Sequence, residues 1–313
     1  MIKILITGGL GFIGKSLIER INELKLEYDI HIIDIKNIEN ENFSYSDKMK
    51  YEKVDITNLN EVKSYFSKNE FDGIIHLAAI SRVKDAELDK KKCINTNYLG
   101  TRYIAEELIK QKKQPWFLFS SSREVYGEQE VFPVAETAEK FPLNIYGFYK
   151  LEGERIIEKN FRNYIIMRLS NVYGNNYDIK DRVIPKFIIN SLIEKTLILE
   201  GGEQMIDFTF IDDTIDSILA FIEKLINSDN FKEEYNVLPG VKNEIKDVIK
   251  ILEKYSENKI SIKVNPKRNY DVEKFWGNNE KLQKLLGNKK FISLEEGIVK
   301  TLKLYKENLE EFN

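Results

Sequence analysis

Along the first 170 positions, short β-rich runs, most of them largely apolar, alternate with longer stretches in which apolar residues recur every three or four places. The runs at 2–6, 29–33, 51–54, 73–77, 116–120 and 164–168 predict strands covered on both faces. The stretches at 11–24, 59–68, 94–112 and 144–160 predict helices with one apolar face. Strand–helix alternation of this kind predicts an α/β fold with a doubly wound parallel sheet. After residue 170 the alternation loosens, with helical patterns near 244–255, 279–286 and 294–307. The expected division is a first domain of 1–170 plus about 205–226, and a smaller mixed second domain of 171–204 and 227–313.

The first turn is the most informative. In "ILITGGLGFIG", Gly8, Gly11 and Gly14 end a strand and open a helix. Glycines at this spacing let the backbone turn tightly and approach a pyrophosphate at a helix N-terminus. Asp34 closes the next strand, where a carboxylate meets the adenosine ribose hydroxyls. It would repel a 2′-phosphate, so NAD is expected rather than NADP. The cradle is read as Gly8, Gly11, Phe12, Ile13 and Gly14.

A second pattern is Tyr-x-x-x-Lys, which puts a phenol and an ammonium on one helix face. The ammonium favours the phenolate, so the tyrosine can act as a base. Tyr146, Tyr255 and Tyr270 all have Lys four places later. Only Tyr146 with Lys150 lies in the strand–helix half, shortly after the serines of "FSSSREVYG".

Composition narrows the partners. The chain has 313 residues, 48 basic and 51 acidic, for a net charge of −3. That balance gives no electrostatic reason to expect nucleic acid. One cysteine, Cys93, leaves no internal disulfide, and His31 and His76 sit in strand-like runs as core residues, so no metal is expected. No apolar stretch approaches a membrane span, and the chain starts directly on a strand; the expectation is a cytoplasmic protein.

Taken together, "TGGLGFIG", Asp34, "HLAA", "SSSREVYG", "YGFYK" and "RLSNVYG" resemble the extended short-chain dehydrogenase/reductase family of nucleotide-sugar enzymes. The resemblance implies a Rossmann-type NAD domain, a smaller substrate domain and a nucleotide-diphosphate sugar as partner. By position, Ser122 would bond the sugar hydroxyl, Tyr146 would take its proton, and Lys150 would support Tyr146 and the nicotinamide ribose. Asp55 and Ile56 would flank the adenine; Leu77, Ala78 and Ala79 would line the cofactor cleft, with Asn97 behind them. Asn171 and Arg268 would hold the diphosphate, and Glu124 would face the substrate. Ser120 and Ser121 read as strand-end structure.

The resemblance also implies a homodimer built on helices 94–112 and 144–160. The first offers Ile94, Tyr98, Ile104 and Leu108, the second Phe148, Leu151, Ile156 and Ile157, unless these face the sheet. Three positions depart from the family. Ile206 stands where an arginine usually precedes "DF", Tyr149 replaces the serine before the lysine, and Arg123 replaces the aspartate of the dehydratases. The expected activity is 4-epimerisation through a transient 4-keto sugar. A 4,6-dehydratase, decarboxylase or 4-keto reductase shares the first oxidation, and a non-catalytic NAD-binding regulator could use the same fold. Arg123 and Glu124 read either as an outward loop pair or as a substrate-facing pair that lacks the acid needed for dehydration.

Overall fold

The computed structural model describes residues 1–41 and 49–308. Its chain divides into two compact units. The first holds 1–127, 139–169 and 217–235, and the second holds 128–138, 170–216 and 236–313. Residues 128–138 and 205–216, expected in the first domain, cluster with the second. Residues 227–235, expected in the second, cluster with the first. The physical reason for the last shift is that Lys232–Val237 forms an edge strand of the main sheet.

Six strands of that sheet come in chain order: β1 (Ile2–Thr7), β2 (Tyr28–Asp34), β3 (Lys50–Lys53), β4 (Gly73–His76), β5 (Trp116–Ser122) and β6 (Tyr164–Leu169). Their spatial order is β3-β2-β1-β4-β5-β6, followed by the edge strand. Neighbouring pairs among the six run parallel, with Ile6 level with Ile32 on one side and Ile75 on the other. Strand order reverses between β1 and β4, and ligands of such sheets bind beyond the strand ends at that reversal. β4 and β6 are buried along their whole lengths, which is why the sequence there is largely apolar, with His76 and Arg168 as the exceptions.

The linking helices are α1 (Phe12–Glu23), α2 (Leu59–Phe66), α3 (Val83–Leu88), α4 (Lys90–Cys93), α5 (Thr101–Leu108) and α6 (Ile145–Asn160). The expected single helix over 94–112 differs: Ile94–Gly100 is a π-helical turn leading into α5. Wide turns of this kind recur at functional sites. Ile104, Leu108 and Ile157 join one buried cluster with Val54, Phe117 and Ile166, and Leu151 is buried as well. These four residues therefore pack inward and are not available for a dimer face.

The second unit is a set of short strand pairs with helices. Asn171–Tyr173 pairs in parallel with Phe208–Phe210, Ile262–Asn265 in parallel with Leu197–Glu200, and Asn243–Glu244 antiparallel with Met205–Ile206. Its helices include Val183–Leu192, Ile245–Tyr255, Glu280–Leu285 and Leu294–Glu307. Among the described residues, no helix is long and apolar enough to cross a membrane, and no cluster of His, Cys, Asp or Glu is arranged to hold a metal.

Candidate active site and cofactor cradle

The glycine loop is shaped by three close approaches. Gly8 has φ +70°, and a Cβ there would lie 2.7 Å from the Ala78 nitrogen. A Cβ on Gly14 would lie 2.6 Å from the Gly9 backbone, and one on Gly11 3.1 Å from the Gly8 carbonyl. Side chains would fill this cradle, so only glycines leave it open. Gly11 caps α1 without any side-chain hydrogen bond, leaving the N–H groups of the first turn, Phe12, Ile13 and Gly14, without a capping side chain among the described residues. The buried Asp34 carboxylate accepts from Leu10 N at 3.0 Å and from Lys36 N at 3.1 Å, which ties it to the loop. A dinucleotide's pyrophosphate and adenosine ribose fit these groups.

On the other side of β1, a chain of hydrogen bonds fixes the cleft wall. Thr101 Oγ1 donates to Asn97 O at 2.8 Å, so it accepts from His76 Nε2 at 3.0 Å. His76 Nδ1 is then bare and accepts from Thr7 Oγ1 at 2.7 Å, and Thr7 Oγ1 accepts from Ala78 N at 3.3 Å. Burial first, and Lys150 second, push the His76 pKa down to about 3, which agrees with this neutral tautomer. Asn97 grips Ile80 from both sides: Ile80 N donates to its Oδ1 at 2.8 Å, and its Nδ2 donates to Ile80 O at 3.0 Å. This anchors the half-buried segment of Leu77, Ala78 and Ala79. The Asn97 side chain is thus committed to the wall. Asp55 accepts from the backbone and hydroxyl of Thr57, both at 2.8 Å, and starts the turn into α2. Ile56 is buried in the core beside it.

The three serines end β5, all buried, and each has a different task. The Ser120 carbonyl accepts from Lys150 Nζ at 2.6 Å. Ser121 Oγ donates to Glu154 Oε1. Ser122 Oγ accepts from Glu124 N at 3.2 Å and caps the turn Arg123–Val125. Arg123 and Glu124 do not point outward. Their side chains are only 10% and 8% exposed, and Arg123 Nη2 lies 2.8 Å from Glu124 Oε1. The other carboxylate oxygen, Oε2, accepts from Asn144 Nδ2 at 2.7 Å.

Helix α6 carries Tyr146 and Lys150 one turn apart. Its N-terminus is held by Asn144 Oδ1, which accepts from Gly147 N at 2.8 Å, and by Glu87 Oε1, which accepts from Ile145 N at 3.0 Å. The Lys150 ammonium lies 6.0 Å from the centre of the Tyr146 ring. Its pKa is lowered to about 8 by burial, against the opposing pull of Cys93 and Glu154. The Cys93 thiol, packed with Tyr146, is pushed up to about 11, mainly by burial. One turn beyond Lys150, Glu154 makes a fully buried two-point pair with Arg168, at 3.0 Å from Nε and 2.9 Å from Nη2. Arg168 Nη1 also donates to Tyr126 OH at 2.9 Å.

In the second unit, Arg268 Nε sits 2.7 Å from Asp271 and 3.3 Å from Glu200. Asn171 Nδ2 is buried with no hydrogen-bond partner among the described residues. Ile206, at the place of the usual arginine, is buried. The roles of Asn144, Glu87, Glu154 and Arg168 were missed from sequence. An Asn just before a Tyr-x-x-x-Lys helix is a cap signal that could have found the first. No local signal marks the Glu154–Arg168 pair.

Residues 4–237 match the family described as NAD dependent epimerase/dehydratase. The bifunctional UDP-glucose 4-epimerase and UDP-xylose 4-epimerase 1 of Pisum sativum is 27% identical, covering 94% of this chain and 93% of its own. The dTDP-glucose 4,6-dehydratase of Haemophilus influenzae is 28% identical, covering 97% of this chain and 98% of its own. Among solved structures, the UDP-glucuronic acid 4-epimerase from Bacillus cereus, in complex with UDP-glucuronic acid and NAD, superposes with a TM-score of 0.86 at 26% identity, covering 98% of this chain and 99% of that one. With a glycine cradle shaped for a dinucleotide and the Tyr146–Lys150 pair on one helix, this chain belongs to the NAD dependent epimerase/dehydratase family.

Proposed function

We propose that the protein is an NAD-dependent nucleotide-sugar 4-epimerase acting on UDP-hexoses or their close relatives. Bound NAD would supply the acceptor, and then the donor, of the hydride at the sugar's fourth carbon. The chain supplies the rest. Ser122 holds the 4-hydroxyl, Tyr146 takes its proton, and Lys150 keeps positive charge beside the phenol. The 4-keto sugar turns to offer its other face at the fourth carbon to the returning hydride, and Tyr146 gives the proton back to the 4-oxygen. Gly8, Gly11, Phe12, Ile13, Gly14 and Asp34 hold the cofactor. Asn171, whose buried amide lacks a partner among the described residues, and Arg268 hold the diphosphate.

The observation that favours epimerisation over dehydration is the engagement of Glu124. A dehydratase must protonate the departing 6-hydroxyl and remove the proton at the fifth carbon. Here both Glu124 oxygens are occupied, one by Arg123 and the other by Asn144. Arginine stays charged at any working pH and is a very poor proton donor. The test is incubation with UDP- and dTDP-hexoses in heavy water, followed by mass spectrometry and NMR. The expected result is interconversion at carbon 4 without deuterium at carbons 5 or 6. A 4-keto-6-deoxy product would overturn the reading. Release of NAD on denaturing the purified protein is expected; NADP alone would contradict the role given to Asp34. This reading includes a homodimer working in the cytoplasm. It draws support from the partly exposed aromatic face that Tyr98, Phe148 and Tyr149 form on the paired helices.

A further inference from the structure

We propose that Glu124 is a positioning residue that sets the distance between Ser122 and Tyr146. The inference rests on the reading above, in which those two groups meet the same sugar hydroxyl. Glu124 reaches both. Its backbone N–H donates to Ser122 Oγ at 3.2 Å, so one lone pair of that hydroxyl is fixed from the protein side. Its carboxylate accepts from Asn144, and Asn144 caps α6 at Gly147, the residue after Tyr146. The turn also presses on the helix itself, because a Cβ on Gly147 would lie 2.4 Å from the Glu124 carbonyl oxygen. Arg123 balances the buried charge at 2.8 Å.

The chemistry of the two contacts requires a carboxylate. Oε1 and Oε2 each accept, one from a guanidinium and the other from an amide N–H. A glutamine offers one acceptor and one donor, so its NH₂ would face either Arg123 or Asn144, which are themselves donors. Glu124→Gln therefore disturbs the brace while barely changing volume. A reciprocal exchange repairs it. In Glu124→Gln combined with Asn144→Asp, the glutamine oxygen accepts from Arg123 and its NH₂ donates to the new carboxylate. The second oxygen of that carboxylate still caps Gly147.

The experiment compares wild type, Glu124→Gln, Asn144→Asp and the double variant. Each is assayed for kcat and KM with UDP-hexoses, and for NADH absorbance formed on the enzyme when the sugar is added. Each single variant is expected to lose about ten- to a hundredfold in kcat, the size of a small misplacement of reacting groups. KM and NAD content should stay within about twofold if the Glu124 carboxylate, whose contacts are Arg123 and Asn144, braces the site instead of facing the substrate as its sequence position suggests, and a KM that rises with kcat unchanged would overturn the positioning role. The double variant is expected to return to within about threefold of wild type. A double variant as slow as Glu124→Gln would overturn the proposal and make the carboxylate at 124 a proton carrier. If NADH forms without epimerisation while the rescue pattern holds, the epimerase reading fails and the positioning role stands.

Discussion

Tyr146 is the residue on which the chemistry turns. It is buried beside Cys93, with the Lys150 ammonium 6.0 Å from the centre of its ring. Tyr146→Phe keeps the ring, and with it the packing, but removes the proton acceptor. Turnover is expected to fall by at least ~10²-fold, the usual size of a lost general base, while bound NAD survives. Tyr149 supplies the control. Its ring meets Tyr98 at 5.8 Å and Phe148 at 5.1 Å, so Tyr149→Phe, which keeps both ring contacts, should retain near-native turnover. Steady-state rates and NAD content of both variants decide the matter, and the opposite pattern would mean that the active tyrosine had been assigned one turn face too early.

At the scale of the element, α6 works because one face carries Tyr146, Lys150 and Glu154 at four-residue spacing. The helix buries an ammonium next to the phenol, and burial lowers the Lys150 pKa to about 8. Below that pH the lysine is charged and supports the phenolate; above it the charge is lost. The rate is therefore expected to fall as pH rises through about 8. Lys150→Arg, which stays charged, should flatten that limb whatever its absolute rate, and a pH profile in which the limb persists assigns it to another group. Glu154 is the far end of the same face. Removing its charge with Glu154→Gln leaves Arg168 buried beside a neutral group, and such losses cost about 3–5 kcal/mol. Urea unfolding should register that drop, and a variant as stable as wild type would mean that Arg168 finds another counter-charge. The motif Tyr-x-x-x-Lys was legible because helical spacing alone aligns its two members. The partners that make it work were not: Arg168 comes from β6 and Glu124 from the end of β5, and only the fold brings either to α6. The π-helical turn at Ile94–Gly100 escaped for a similar reason, since the Asn97 grip on Ile80 is a contact across 17 positions.

For the whole molecule, the parallel sheet and the glycine cradle were readable because both are written in local requirements: short, largely apolar β-rich runs, and glycines where a Cβ would collide. Which way a helix turns its second apolar stripe is set by neighbours and was not readable. Ile104, Leu108, Leu151 and Ile157 resolved toward the core. What stays partly exposed on the paired helices is Ile94, Tyr98, Tyr103, Phe148, Tyr149 and Ile156, with Phe148 at 47% exposure and Arg102 5.9 Å over the Tyr98 ring. Aromatic and arginine side chains grouped on one face are the residue types that dominate stable protein interfaces. A second copy presenting the same face would cover them about a two-fold axis, since such contacts are self-complementary. Sedimentation at micromolar concentration is expected to give a dimer. Phe148→Glu should shift it toward monomer with little loss of fold stability, because that ring is half in solvent already and the charge would be buried only on association. A wild-type protein that sediments strictly as a monomer would refute the dimer, and a Phe148→Glu protein that remains dimeric would move the interface to another face.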